Sequence, residues 1–212
     1  MKLQAPSVDR ELRDVAARFD LLRHPFYKRW AAGQVTRSEL AYYAAQYAHV
    51  VQAVPRWLSR TADLDPQNRE HLQAHAAEES AHVDLWERFA SALGWEQSDL
   101  RAQAPNQATK ALLATGDDLT EQGHGAAVVW SIEGQSPAVS AEKLRGLRAH
   151  YGIDERTGGE YFAVHEMLDR DHEARLRDII RASGSTVRSA APAAAVAALA
   201  GMWDLLSSVQ AV

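Results

Sequence analysis

Apolar residues recur along most of this chain at intervals of three and four, the period of one face of an α-helix. Leu12, Val15, Phe19 and Leu22 form the first such stripe and predict a helix over 8–22 that halts before His24-Pro25. The run FYKRW then leads to Gly33. Thr36 and Glu39 have the spacing of a capping box, in which each side chain accepts the other's backbone N–H, and open a helix from 37 to about 60. Tyr42, Tyr43, Tyr47 and Trp57 make that helix aromatic, and Pro55 predicts a kink. Asp65-Pro66 reads as an N-cap and first-turn proline for a helix that reaches about Leu93 and stops at Gly94.

After a connection over 95–108, helices are expected over about 117–133 and about 139–151, and from a cap at Asp154 to about Ser183. Residues 183–190, rich in Ser, Gly and Thr, are expected to form a hinge before a final alanine-rich helix. No stretch alternates with period two for long enough to build a sheet, and no internal repeat is present. The expected fold is all-α, a single domain over 1–212 built as a bundle of seven or eight helices.

Composition removes several function classes. A length of 212 residues suits one core. The net charge of −5, with no Lys or Arg block, argues against a nucleic-acid surface and a membrane-seeking face. Cysteine is absent, which excludes thiol catalysis, disulfides and cysteine-ligated metals. The N-terminal MKLQAPSVDR lacks the apolar core of a signal peptide, and the apolar run Ala190 to Trp203 is short and interrupted by Pro192. These features lead us to expect a soluble, cytoplasmic protein.

The chemistry concentrates in polar residues placed on apolar stripes. In YFAVHEMLDRDHEA, His165, Asp169 and His172 stand at offsets of four and seven. Such offsets bring three side chains within roughly a 60° arc of one helix face. Two imidazoles and a carboxylate suit iron, manganese or zinc. Glu166, Arg170, Asp171 and Glu173 share the run, so a solvated charged face is the competing reading. In HAAEESAHVDLW, Glu79 and His82 have the Glu-x-x-His spacing of di-iron carboxylate bundles, a spacing also frequent on exposed helices. Glu78 rivals Glu79, whereas His71 and His75 are read as solvent-facing. Glu133 lies in the apolar stretch AAVVWSIEGQSP, where a carboxylate is costly to bury without a cation. Three carboxylates and three imidazoles could hold two divalent ions with a residual charge of about +1.

Taken in order, HPFYKRWAAGQVTRSELAYYAAQYAHV, EESAHVDLWERFASALG, IEGQSPAVSAEKLRGLRAHYGI and YFAVHEMLDRDH resemble the haem-oxygenase-like di-metal oxidases, a superfamily that includes the TenA and PqqC relatives. The resemblance spans about residues 20 to 180. It implies a seven-helix bundle in which Glu79, His82, Glu133, His165, Asp169 and His172 bind two irons, or one iron and one manganese. It further implies O2 activation with electrons from an unidentified external donor. TenA-type thiaminases depend on a cysteine nucleophile, which this chain lacks. Relatives carry a longer, glycine-containing insertion between the glutamates and the histidine of the first motif, so the choice between Glu78 and Glu79 stays open.

Within the superfamily the chain is most similar to the CADD-type 4-aminobenzoate synthases. Tyr27, Tyr43, Lys143 and Tyr161 stand at the tyrosine and lysine positions of that pattern, and Lys143 is one of only four lysines, with Lys2, Lys28 and Lys110. The resemblance implies self-sacrificing synthesis of 4-aminobenzoate, a folate precursor. Tyr27 would supply the ring and Lys143 the nitrogen, with Tyr43 and Tyr161 as redox or positioning partners. Core packing of the tyrosines and a surface position for Lys143 in a helix first turn are the competing readings. Two other functions remain open: a di-metal oxygenase or lyase acting on an external amine, amino acid or fatty acid, and a non-catalytic helical interaction module. Bundles of this superfamily often pair, so a homodimer is compatible with the sequence.

Overall fold

The amphipathic stripes fold as helices across residues 7–210, the residues described by this computed structural model, and no strand occurs among them. The two ends of the expected 1–212 domain lie outside the described residues. The helices are α1 (Val8–Arg18), α2 (Pro25–Ala31), α3 (Arg37–Leu64), α4 (Arg69–Ala92), α5 (Gln97–Ala102), α6 (Gln107–Leu119), α7 (Gly125–Glu133), α8 (Ser136–Gly146), α9 (Glu160–Ala182) and α10 (Ser185–Val209). With the short α2 and α5 set aside, eight remain, in line with the expected bundle.

The long hairpin of α3 against α4 forms one wall, and α9 and α10 close the other side. Between them runs α7, in which every residue from Gly125 to Glu133 is buried. A helix that is apolar all round belongs at a core's centre, and this one packs on α3, α9 and α10. Its last residue, Glu133, is thereby carried into the interior.

The predicted capping box is present: Thr36 Oγ1 accepts the Glu39 N–H at 3.2 Å, and Glu39 Oε2 accepts the Thr36 N–H at 2.8 Å. Several boundaries differ from the sequence reading. The first helix ends at Arg18, and Leu21–Arg23 make a separate 3-10 turn. Helix α3 continues through Pro55 to Leu64. Asp65 does not cap α4; its Oδ1 accepts the N–H groups of Gln67 and Asn68, shaping the turn before Arg69. The supposed connection over 95–108 contains α5 and the start of α6, which Asn106 caps by accepting the Thr109 N–H at 2.9 Å. Helix α6 buries only Thr109, Leu112 and Gly116, too small and polar a face to register as a hydrophobic period. Asp154 caps the short turn Glu155–Thr157, and α9 starts later, at Glu160.

The expected hinge over 183–190 is also corrected. Only Ser183 and Gly184 separate α9 from α10, and Arg188 Nη1 donates to the Ser183 carbonyl at 2.8 Å and to the Arg181 carbonyl at 3.2 Å, tying the corner. Helix α10 is long and apolar enough to cross a membrane by length and composition, contrary to the reading of the shorter Ala190–Trp203 run. Its apolar face, including Ala194, Ala198, Met202 and Leu205, is buried in the bundle.

Gly123 and Gly116 matter locally for different reasons. Gly123 adopts φ of 86°, a left-handed conformation that lets the chain turn between α6 and α7. Gly116 permits close packing: a Cβ there would lie 2.2 Å from Trp57 Cζ2. Trp57 is itself held, its Nε1 donating to Asp117 at 2.7 Å. Gly116→Ala is therefore expected to lower stability by about 1–3 kcal/mol through overpacking. A lower urea midpoint at unchanged slope would register this, and an unchanged midpoint would contradict it.

Candidate metal centre

Helices α4, α7 and α9 converge on one buried cluster. From α4 come His75, Glu79 and His82, which are 2%, 4% and 8% exposed. From α9 come His165 and Asp169, 4% and 0% exposed, with the half-buried His172. Glu133, at the C-terminal end of α7, completes the set. A helix C-terminus carries partial negative charge, so this carboxylate is disfavoured there unless a cation lies beside it. The charged neighbours that made a solvated face plausible, Glu166, Arg170 and Asp171, lie on the exposed side of α9.

Glu79 stands at the middle. Its Oε1 is 3.1 Å from His82 Nδ1, and its Oε2 is 3.6 Å from His165 Nε2. Donor atoms of Glu79, His82 and His165 fall within 4.8 Å of one another, and so do those of His75, Glu79, Glu133 and His172. Glu79 alone belongs to both groups, the place of a carboxylate able to bridge two ions. Glu78, by contrast, is half-exposed at the rim, where its Oε2 meets His172 Nε2 at 3.1 Å. Of the two glutamates, Glu79 is the one that points inward.

His75 departs from the sequence reading, which set it facing solvent with His71. His71 is half-buried, and His75 is almost fully enclosed, its Nε2 3.0 Å from Glu133 Oε1 without hydrogen-bond alignment. The reason is helical phase: 75, 79 and 82 are offset by four and seven, so the face that brings Glu79 inward brings His75 with it.

The hydrogen bonding shows what the cluster fits. His75 Nε2, both oxygens of Glu133 and of Asp169, His165 Nε2 and His172 Nδ1 are buried without a hydrogen-bond partner. Each such group costs about 1–3 kcal/mol unless something satisfies it. His165 Nδ1 lies 2.7 Å from the Tyr161 carbonyl, which can only accept, so Nδ1 carries a proton and Nε2 is the ring nitrogen that faces the cluster. Converging imidazole lone pairs and carboxylate oxygens form a donor set suited to cations such as iron or manganese.

Without a cation the electrostatics are unbalanced. Burial, with the charges of Glu79 and Asp169, pushes Glu133 well above the ordinary carboxylate range. Burial raises Asp169 as well. Burial acts on Glu79 in the same sense, but the neighbouring His165 and His82 outweigh it and hold its carboxyl low. Metal loading should therefore stabilise the fold, by about 2.7 kcal/mol at a metal concentration a hundredfold above Kd. Calorimetry with and without Fe(II) under argon would check this, with a chelator reversing the shift; equal melting temperatures would contradict it.

A second constellation adjoins the first. Tyr27, Tyr43 and Lys143 are 2%, 0% and 5% exposed, so the competing reading of Lys143 as a surface residue in a helix first turn does not hold: it is buried in the last turn of α8. Lys143 Nζ donates to Tyr43 Oη at 2.7 Å and lies 5.0 Å from the centre of the Tyr27 ring. The Tyr27 and Tyr43 hydroxyls are 3.4 Å apart. Burial lowers the Lys143 pKa to about 7, so much of the amine is neutral near neutrality, while burial raises Tyr27 and Tyr43. Tyr161 stacks on His165 with ring centres 3.9 Å apart.

Two small cavities, each about 20 Å³, link these groups. One is lined by Glu79, Glu133, His165 and Asp169, the other by Tyr27 and Lys143, and both by Tyr47, Ile132, Ser136 and Tyr161. Tyr47, which the sequence reading treated only as an aromatic of its helix, thus stands between them. Larger cavities of about 360 and 640 Å³ contain none of the cluster residues.

Residues 41–206 match the family described as iron-containing redox enzymes. The chain belongs to that family. A 4-aminobenzoate synthase of Chlamydia muridarum is 34% identical over 172 residues, covering 76% of this chain and 72% of the relative. One of Nitrosomonas europaea is 32% identical over 209 residues, covering 89% and 85%. Among solved structures, a domain of unknown function with a heme oxygenase-like fold from Shewanella denitrificans superposes with a TM-score of 0.83 at 17% identity, covering 98% of this chain and 94% of that one. A TenA homolog from Pseudomonas syringae gives a TM-score of 0.85 at 15% identity with the same coverage. The haem-oxygenase-like fold is thus established. Family membership favours redox chemistry over the alternative of a non-catalytic interaction module.

Proposed function

We propose that this protein makes 4-aminobenzoate from its own Tyr27, with Lys143 as the nitrogen donor. The observation that carries this reading is the pairing of a buried amine, 2.7 Å from Tyr43 Oη and 5.0 Å from the Tyr27 ring centre, with an adjoining metal-type cluster that leaves almost no free space. A cavity of about 20 Å³ holds roughly one water, whereas organic ligands usually need pockets of about 300–1,000 Å³. Dioxygen is small enough for such a space; an external amino acid or fatty acid is not.

The carbon count agrees. The product's seven carbons are the six of a tyrosine ring plus its Cβ, para to the hydroxyl. Its formation requires the Cα–Cβ bond of Tyr27 to break, Cβ to be oxidised to carboxylate and the phenolic oxygen to be replaced by nitrogen. A bound iron pair, or iron with manganese, would supply the oxidising power, drawing on O2 and an external reductant. Glu79, His82, Glu133, His165, Asp169 and His172 would hold the metals. Lys143, kept partly neutral by burial, offers the lone pair, and its Cε–Nζ bond must break for the nitrogen to leave the chain. Lys143 Nζ donates to the Tyr43 hydroxyl and Tyr161 stacks on His165, so Tyr43 would position the amine and the two tyrosines would pass oxidising equivalents toward Tyr27.

The test is a reaction with iron-loaded protein, a reductant and O2 but no organic precursor. Up to one equivalent of 4-aminobenzoate per chain, identified by mass spectrometry, is the expected result. Product that appears only when an organic substrate is added would assign the cluster to an external-substrate oxygenase instead.

A further inference from the structure

The geometry points to His75 as a seventh metal ligand, completing the ion position formed by Glu133 and His172. This rests on the metal-site reading above and extends it to a residue outside the six-ligand set.

Three observations converge. His75 Nε2 is buried, has no hydrogen-bond partner and lies 3.0 Å from Glu133 Oε1, a contact that leaves both atoms unsatisfied unless a cation joins them. The His75 and His172 rings are 3.8 Å apart between centres, so two imidazoles are held together beside Glu133, each with a buried ring nitrogen that has no hydrogen-bond partner. Neutral imidazoles with free lone pairs are the form that binds metal. The third observation is sequence spacing. His75, Glu79 and His82 on α4 have the pattern His-x-x-x-acid-x-x-His, and His165, Asp169 and His172 repeat it on α9. Two facing helices with the same donor order supply two imidazoles to each ion: His82 and His165 on one side of Glu79, His75 and His172 on the other.

A purely structural His75 would fill space and gain nothing from a cation. A ligand would govern how tightly one of the two ions is held. The experiment titrates metal-free protein with Fe(II) under argon, reading stoichiometry and affinity, and examines the Co(II)-substituted protein by X-ray absorption for imidazole count. Wild type is expected to take up two ions. His75→Gln should keep one at wild-type affinity and bind the other about tenfold or more weakly, with fewer imidazoles per metal. His75→Gly should recover the second ion when free imidazole is added, a rescue that a packing role would not give. Should either variant fail to fold, judged by circular dichroism of the metal-free protein, the other serves. Two ions bound at unchanged affinity and imidazole count in the variant overturn the His75 assignment while leaving the metal site intact. Failure of wild type to bind any metal overturns the metal site itself, and His75 with it.

Discussion

Tyr27→Phe is expected to reduce 4-aminobenzoate formation to background while iron uptake stays at the wild-type level. The substitution keeps the ring that packs 5.6 Å from Phe26 and removes only a hydroxyl whose contact with Tyr43 is a long 3.4 Å. Its cost to folding should be about 1 kcal/mol or less, too small to explain lost activity by unfolding. Labelling makes the result decisive. Protein grown with ring-labelled tyrosine should release labelled 4-aminobenzoate, and the peptide containing residue 27 should lose its aromatic side chain in step with product. Unlabelled product, or an intact Tyr27 after turnover, would show that the ring comes from elsewhere.

Lys143→Met is expected to abolish the product and, unusually for a change that destroys activity, to stabilise the protein. The Lys143 amine falls from an ordinary pKa of 10.5 to about 7 on burial. An unfolded chain therefore binds the proton more strongly than the folded one, and folding bears a penalty that is complete below about pH 7 and fades as pH rises toward 10.5. At neutral pH the penalty is on the order of a few kcal/mol, partly offset by the hydrogen bond to Tyr43. Methionine fills similar space without a charge. The variant's denaturation midpoint should exceed that of wild type at pH 7, and the gap should narrow toward pH 10. A gap that widened with pH would mean that the amine is not held in its neutral form. Protein labelled with ¹⁵N-lysine should in turn pass the label into the product; unlabelled amine would point to a free nitrogen source.

Helical periodicity was legible wherever the apolar stripe was strong, as in α3, and illegible in α6, whose buried face is a threonine, a leucine and a glycine. In the candidate site, the His165, Asp169 and His172 spacing and the isolated Glu133 were readable because both are local facts: an offset along one helix, and a charge within an apolar run. His75 was readable in principle, since its spacing to Glu79 and His82 repeats the α9 pattern. A histidine next to exposed Gln73, Ala74 and Ala77 nevertheless gives no sign in the sequence of which way it faces.

Donor chemistry, helix phase and the lack of any thiol were therefore properties of the chain alone, since each depends on residue type and interval. Which of two adjacent glutamates turns inward, whether Lys143 is solvated or dry, and that Tyr47 separates two cavities were decided only when α3, α4, α7, α8 and α9 packed together. Burial is set by what a neighbouring helix covers, and the pKa of an amine or the demand of a carboxylate for a cation follows from that covering, not from the residues beside it in sequence.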